Sequence, residues 1–241
     1  MKLLAVDTAT RTCSVAIVDQ DELICEVTLG SGQTHSANLL SLVASALSAA
    51  RLDITQIEGL GATIGPGSFT GLRIGLGVVN GLAFALGLRA AGVSSLAALA
   101  HPCRAWPGIV CPLLDARKGE VYHNRFGMRP GGFGALGADA VGSVEQALAG
   151  LEGPCLFVGD GARVYRDRII AAVGGRARFA GSGPDWIRAS AVADLACRGF
   201  ERREEEPAGR LMPRYVRRSE AEVGGRPGLV AVMIDKSRLD C

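Results

Sequence analysis

The sequence predicts an α/β fold of two similar lobes. Three observations carry this. Short apolar runs alternate with helix-period patterns along the chain. A strand–Asp–turn–strand pattern occurs twice, around Asp7 and again around Asp115. Between them, Leu60–Ile64 runs through a glycine turn into a long apolar helix. The repeated opening points to an internal duplication in which two like lobes face each other. Residues 1–104 form the first lobe, 105–222 the second, and 223–241 a tail of unassigned role. The last helix of the second lobe has the option of packing back on the first.

The elements follow in order. Leu3–Val6 is an apolar strand ending in Asp7, and Thr8–Thr12 a polar turn. Ser14–Val18 and Leu23–Leu29 are strands joined by a hairpin turn over Asp19–Glu22. An Asp at such a strand end holds a metal–phosphate complex or caps its own turn, and both readings stand at this point. Gln33–Leu52 is a helix, with Leu39, Leu40, Val43, Ala46, Leu47 and Ala50 in one apolar stripe and Thr34 or Ser36 as cap. His35 lies at its start without an ionisable ligand one turn on, so a surface or capping role fits better than a metal.

Gly65–Gly75 reads G-P-G-S-F-T-G-L-R-I-G. Gly65-Pro66-Gly67 forces a sharp turn, and Ser68 or Thr70 caps the helix that runs to Leu86. Gly67, Gly71 and Gly75 are four apart, which places them on one helix face and suits close approach of another backbone. Two readings remain open, a helix packed within the chain and a helix whose glycine face meets another subunit. The spacing excludes three alternatives. Thr70 breaks the dinucleotide fingerprint, no Lys-Ser or Lys-Thr completes a P-loop, and Pro66 and Thr70 replace the glycines of a nucleophile elbow. The uncharged run Ile74–Leu88, bracketed by Arg73 and Arg89, falls short of the ~18 residues of a membrane span.

Ala90–Val93 is a strand, with Ser94 or Ser95 capping a helix over Leu96–His101, and Pro102, Pro107 and Gly108 mark a boundary. Ile109–Leu114 ends in Asp115, Ala116–Gly119 is a tight turn, and Glu120–Phe126 the returning strand. The glycine-rich 127–140 is a loop or an irregular strand pair. Ser143 caps a helix to about Leu151. Cys155–Val158 is a buried strand entering Gly159-Asp160-Gly161, followed by a helix to about Val173. Ala189–Glu206 is a helix, and Pro213 makes the approach to Arg217 extended. Leu229–Ile234 is an apolar run without an assigned place.

Composition narrows the function classes. Of the 241 residues 48% are hydrophobic, enough for a core. A net charge of +2 is too mild to mark a nucleic-acid binder. Seven cysteines without a C-x-x-C pair argue against a disulfide framework or zinc site and suit reduced thiols. The chain starts directly into a strand, without a signal peptide, so a cytoplasmic protein is expected.

The chain resembles the TsaB (YeaZ) family. The stretches that carry this are Val6–Thr10 (V-D-T-A-T), Gly65–Gly75, Leu113–Tyr122 (L-L-D-A-R-K-G-E-V-Y), Val158–Ala162 (V-G-D-G-A) and Pro213–Arg217 (P-R-Y-V-R). The glycine string is the most specific, and the likeness covers about 1–222. It implies the two-lobed actin/Hsp70/sugar-kinase, ribonuclease H-like fold with duplicated mixed sheets. It implies a role with TsaD, TsaE and TsaC in threonylcarbamoylation of the adenosine beside the anticodon of tRNAs that read A-starting codons. TsaC makes threonylcarbamoyl-adenylate, TsaD transfers the group, and this family is a non-catalytic platform. Its helical face pairs with TsaD, or with a second copy; tRNA is an indirect partner, and direct contact through Arg214, Arg217 and Arg218 stays open. The implied partner-binding residues are His35, Gly67, Ser68, Phe69, Thr70, Gly71, Arg73, Ile74 and Gly75. The vestigial nucleotide positions are Asp7, Thr8, Asp115, Gly159 and Gly161. No cofactor, metal or membrane is expected, and Gly71→Leu is expected to spare the fold and abolish association.

The residues support a non-catalytic reading independently. ATP-using relatives of this fold place a glycine in the turn after the first Asp, so that backbone amides reach phosphate. Asp7-Thr8-Ala9-Thr10 has none, and Ala116, Arg117 and Lys118 crowd the second turn. The His-x-x-x-His of TsaD is absent, since Leu39 stands four after His35. The rivals are an active ATPase or phosphotransferase using Asp7 and Asp115, and a peptidase, for which three scattered histidines offer no metal pair or nucleophile–base pair.

Overall fold

The computed structural model describes residues 1–20, 22–30, 35–181 and 185–217. Thr34 as a cap, Asp21 of the hairpin, Arg218 and the tail 223–241 lie outside the described residues.

Lobe 1 is a five-stranded sheet in the order β3-β2-β1-β4-β5. The strands are β1 (Lys2–Asp7), β2 (Cys13–Asp19), β3 (Glu22–Leu29), β4 (Gly59–Gly65) and β5 (Ala90–Ser94). β1 pairs antiparallel with β2 and parallel with β4. Side chains alternate along β1, and the two faces build different cores. Leu4 and Val6 enter a cluster under α1 (His35–Ala50) and α2 (Phe69–Leu86). Leu3 and Ala5 enter a second cluster with Leu96, Leu99, Val110, Val192 and Ala196, which spans both lobes. Helix α7 (Ala189–Glu201) follows lobe 2 in sequence but packs on this face of lobe 1. Gly61 permits the close fit, since a Cβ there would stand 2.8 Å from that of Ala196.

Lobe 2 repeats the plan. β6 (Ile109–Asp115) pairs antiparallel with β7 (Glu120–His123) and parallel with β11 (Cys155–Val158), in the order β10-β7-β6-β11-β12. β10 (Ala140–Ser143) and β12 (Ala177–Phe179) take the places of β3 and β5. The expected duplication is therefore present strand for strand. Lobe 2 adds a hairpin, β8 (Phe126–Arg129) and β9 (Gly132–Ala135), where the sequence left open a loop or an irregular strand pair.

Several boundaries shift. The returning strand ends at His123, because the Asn124 side chain bonds Gly137 and Asp139 and turns the chain before Phe126 starts β8. The helix after Gly159 is two, α5 (Asp160–Val164) and α6 (Arg166–Val173), broken at Tyr165. α7 ends at Glu201, since the Arg203 and Glu204 amides close back on its last turn and Arg203 takes φ 58°. Ser94 caps α3 (Ser95–Ala100) through the Ala97 amide, and Ser143 forms a capping box with Gln146 on α4 (Val144–Leu148).

Candidate interlobe cleft and outer helical face

The joints between strands and helices in the two lobes meet at a cleft of about 830 Å³. Lobe 1 contributes Thr10, Arg11, Thr12, His35, Gly67 and Ser68, and lobe 2 contributes Asp115, Ala116, Arg117, Tyr122, Asp160, Arg163 and Trp186 among others.

On the lobe 1 side, Ser68 caps α2 by accepting from the Gly71 amide at 3.1 Å. Gly67, Gly71 and Gly75 then face the β1–β2 turn of the same chain. A Cβ on Gly67 would stand 2.3 Å from the Ala9 carbonyl oxygen, on Gly71 2.1 Å from that of Thr8, and on Gly75 2.2 Å from the Thr8 hydroxyl oxygen. The Thr8 hydroxyl donates to the Gly71 carbonyl at 2.8 Å, and the Ser68 amide to the Ala9 carbonyl at 2.7 Å. Of the two readings left open by the glycine spacing, the internal one holds. The close approach is to Thr8 and Ala9, not to another subunit, so Gly67, Gly71 and Gly75 are corrected as a bare contact face. A leucine at Gly71 would have to displace the turn that closes lobe 1.

Asp7 is fully buried beneath this turn and is not among the cleft-lining residues. One carboxyl oxygen accepts from the Thr63 hydroxyl at 2.7 Å and the Ala9 amide at 3.1 Å. The other is buried without a hydrogen-bond partner. Burial raises its pKa from 3.8 to about 7, against the lowering effect of the Thr63 and backbone bonds. Asp7 therefore caps its turn, as the commoner reading of a strand-end Asp has it.

Asp115, at the matching place in lobe 2, does line the cleft. It accepts from the Arg117 amide at 3.0 Å and the Tyr165 hydroxyl at 3.2 Å, with the Arg117 Nε 4.0 Å away. The Asp115 amide donates to Asp160, whose pKa burial raises. Arg163 pairs with Asp185 at 3.5 Å. Gly159 and Gly161 pack on the Leu113 carbonyl, so both serve strand–helix packing. Arginine–aspartate pairs thus border the cleft. Among the described residues no group of three His, Cys, Asp or Glu side chains is placed to hold a metal. Asp160, Arg163, Tyr165 and Trp186 were not singled out by the sequence, and only the Gly-Asp-Gly around Asp160 carried a signal.

The other expected site residues separate. Phe69, Thr70 and Arg73 point outward on the first turns of α2, Ile74 is half-buried, and His35 sits in the cleft wall with Nε2 2.9 Å from the Thr10 carbonyl oxygen. The outward surface of α2 carries a second glycine pair that the sequence reading passed over. Gly77 lies two residues beyond Gly75, about 200° round the helix. Nothing lies within 4 Å of a Cβ at Gly77 or Gly81, and Phe84 beside them is 81% exposed. On α1, Ala37, Leu40, Ser41, Ala44 and Ser48 are exposed, and the helix has no charged residue. Among the described residues α2 is also the one helix long and apolar enough to cross a membrane, Arg73 notwithstanding. Its inner face packs on β4 and α1.

The profile of the family described as TsaD, tRNA N6-adenosine threonylcarbamoyltransferase, matches residues 29–224. The tRNA threonylcarbamoyladenosine biosynthesis protein TsaB of Bacillus subtilis is 29% identical over 92% of this chain and 96% of its own. TsaB of Escherichia coli is 39% identical over 51% of this chain and 53% of its own. A Pseudomonas aeruginosa crystal structure, described as similar to peptidase YeaZ, superposes with a TM-score of 0.79 at 30% identity, covering 90% of this chain and 99% of that one. The two-lobed fold is that of actin, Hsp70 and the sugar kinases. The chain belongs to the TsaD family and, within it, to its TsaB (YeaZ) branch.

Proposed function

We propose that this chain acts in threonylcarbamoylation of tRNA adenosine as a non-catalytic partner of the TsaD transferase. The relatives named for threonylcarbamoyladenosine biosynthesis support the pathway. The observation that carries the non-catalytic part is the packing of the β1–β2 turn. In a nucleotide-using lobe the amides of that turn would face phosphate. Here Thr8 and Ala9 turn their carbonyls against the glycine face of α2, the part of the turn that reaches the cleft carries Thr10, Arg11 and Thr12 and no glycine, and Asp7 is sealed below.

The docking face in this reading is the outward side of α1 and α2, not the inner glycine stripe. Small side chains at Ala37, Ser41, Ala44, Gly77 and Gly81 let helices approach closely, and Leu40 and Phe84 supply exposed apolar anchors. TsaD is the partner, with a second copy of this chain as the resting alternative and TsaE joining the assembly.

The test is reconstitution of the tRNA modification with TsaC, TsaD and TsaE, with and without this chain. Product only in its presence is expected. Equal product without it would overturn the role. ATP turnover by the isolated chain that disappears in Asp7→Ala would overturn the non-catalytic assignment.

A further inference from the structure

After α7 the chain runs back along lobe 1, fixed at three points. Glu206 exchanges both backbone hydrogen bonds with Ala90, at the edge of β5, at 3.0 and 2.8 Å. The Asn80 side-chain amide on α2 donates to the Leu211 carbonyl at 2.9 Å and accepts from its amide at 3.1 Å. The Arg214 amide donates to the Ile64 carbonyl at 2.7 Å. Tyr215 then stacks on Phe69 with ring centroids 5.0 Å apart. Its hydroxyl accepts from Arg73 Nε at 3.0 Å, and the Arg73 guanidinium lies 3.8 Å from the centre of the Phe69 ring.

Two residues later the same segment holds lobe 2. Arg217 donates to the Ala116 carbonyl at 2.8 Å and pairs with the Glu120 carboxylate. Ser68, beside Phe69, and Ala116 both line the cleft. The step from Tyr215 to Arg217 therefore crosses from one cleft wall to the other. Its lobe 2 anchor is a turn under conformational constraint, with Arg117 and Lys118 at φ 65° and 54°. Among the described residues the lobes also share the core with α3 and α7 and a Ser94–Asp139 hydrogen bond of 2.7 Å.

We propose that Tyr215–Arg217 is an interlobe latch that sets the width of the cleft. Tyr215 docks on the α2 first turn, and Arg217 holds the β6–β7 turn at the distance this docking dictates. Because Phe69 and Arg73 face outward, the latch shares residues with the face assigned above to a partner. That link alone rests on the functional reading, and the latch itself does not.

Amide hydrogen exchange on the isolated full chain tests it without any partner, so its failure is distinct from failure of the functional reading. Arg217→Ala and Glu120→Ala should each speed exchange on both walls by about three- to tenfold, at the Ser68 amide and at the Arg117 and Glu120 amides. The central strands β1 and β6 should keep their protection. The double variant Arg217→Glu with Glu120→Arg should recover part of the loss by restoring opposite charges. Faster exchange confined to residues 206–217, or no change on either wall, would overturn the latch. Glu120→Ala leaves residues 206–217 unaltered, so it decides the matter if Arg217→Ala does not fold.

Discussion

Asp7 and Asp115 end equivalent strands of a duplicated plan, yet they live in different chemistry. Asp7 has no exposed surface, one carboxyl oxygen without a partner and a pKa raised by burial to about 7. Asp115 lines the cleft, and its carboxylate takes the Arg117 amide and the Tyr165 hydroxyl. The difference lies in what faces each turn. In lobe 1 an 18-residue helix presents glycines that draw Thr8 and Ala9 down over the aspartate. In lobe 2 the equivalent helix is broken at Tyr165, and the turn stays open to the cleft. Both turns reach the cleft, but the same sequence pattern seals the aspartate beneath the turn in one lobe and leaves it in the cleft wall in the other.

The sharpest way to break this comparison is at Gly71. Gly71→Leu should leave no measurable folded population, and Gly71→Ala should cost about 3 kcal/mol or more, since the Thr8 carbonyl must move for either. Urea denaturation followed by circular dichroism checks it. A Gly71→Leu variant that folds normally and merely fails to associate would restore the subunit-facing reading of the glycine stripe.

Asp7 comes next, through pH. Its folded pKa lies above its unfolded value of 3.8, so the native state binds more protons between about pH 4 and pH 7. Stability from this group is full below the unfolded pKa and is lost as pH rises through the folded one. The whole swing is on the order of 4 kcal/mol at most, taking 1.36 kcal/mol per pKa unit. Asp7→Asn keeps an acceptor for Thr63 and Ala9 and cannot titrate. It should flatten the fall in urea midpoint between pH 4.5 and 7.5, whereas an unchanged slope would place the proton elsewhere.

Sequence reasoning reached the duplication because strand–Asp–turn–strand is a local pattern, and β1/β2 and β6/β7 are sequence neighbours. It placed Ser68, Ser94 and Ser143 as caps, or among the candidates, because capping is read from a few adjacent residues. It identified the Gly67/Gly71/Gly75 stripe as a close-approach face and left the occupant open. The resemblance then assigned it outward, and the occupant, Thr8–Ala9, lies some sixty residues earlier. The outward pair Gly77 and Gly81 was equally visible as a spacing, yet nothing local marks which side of an apolar helix meets the sheet. The cleft residues Arg163, Asp185 and Trp186 carry no motif, and only the fold brings them opposite Arg11 and Ser68.

The two faces of α2 offer a contrast within one helix. Gly77→Leu and Gly81→Leu meet open space, so they should fold as well as the parent or gain up to about 1 kcal/mol from better helix propensity. In the functional reading they should weaken capture of TsaD at least tenfold, measured by calorimetry, because a large side chain props the helices apart. Normal affinity in both variants would move the docking face away from α2 while leaving the inner packing untouched.

The smallest expected effect is at Asp115. Asparagine keeps a side-chain oxygen that can accept from the Arg117 amide and the Tyr165 hydroxyl, so Asp115→Asn should cost less than about 1 kcal/mol. That loss should fall almost wholly on the local turn, since the Asp115 amide still donates to Asp160. A loss as large as that of Gly71→Ala would mean that the second turn is also a packing joint. The two lobes would then differ in exposure but not in role. A small loss with unchanged tRNA modification in the reconstituted system would leave the cleft carboxylate outside the chemistry.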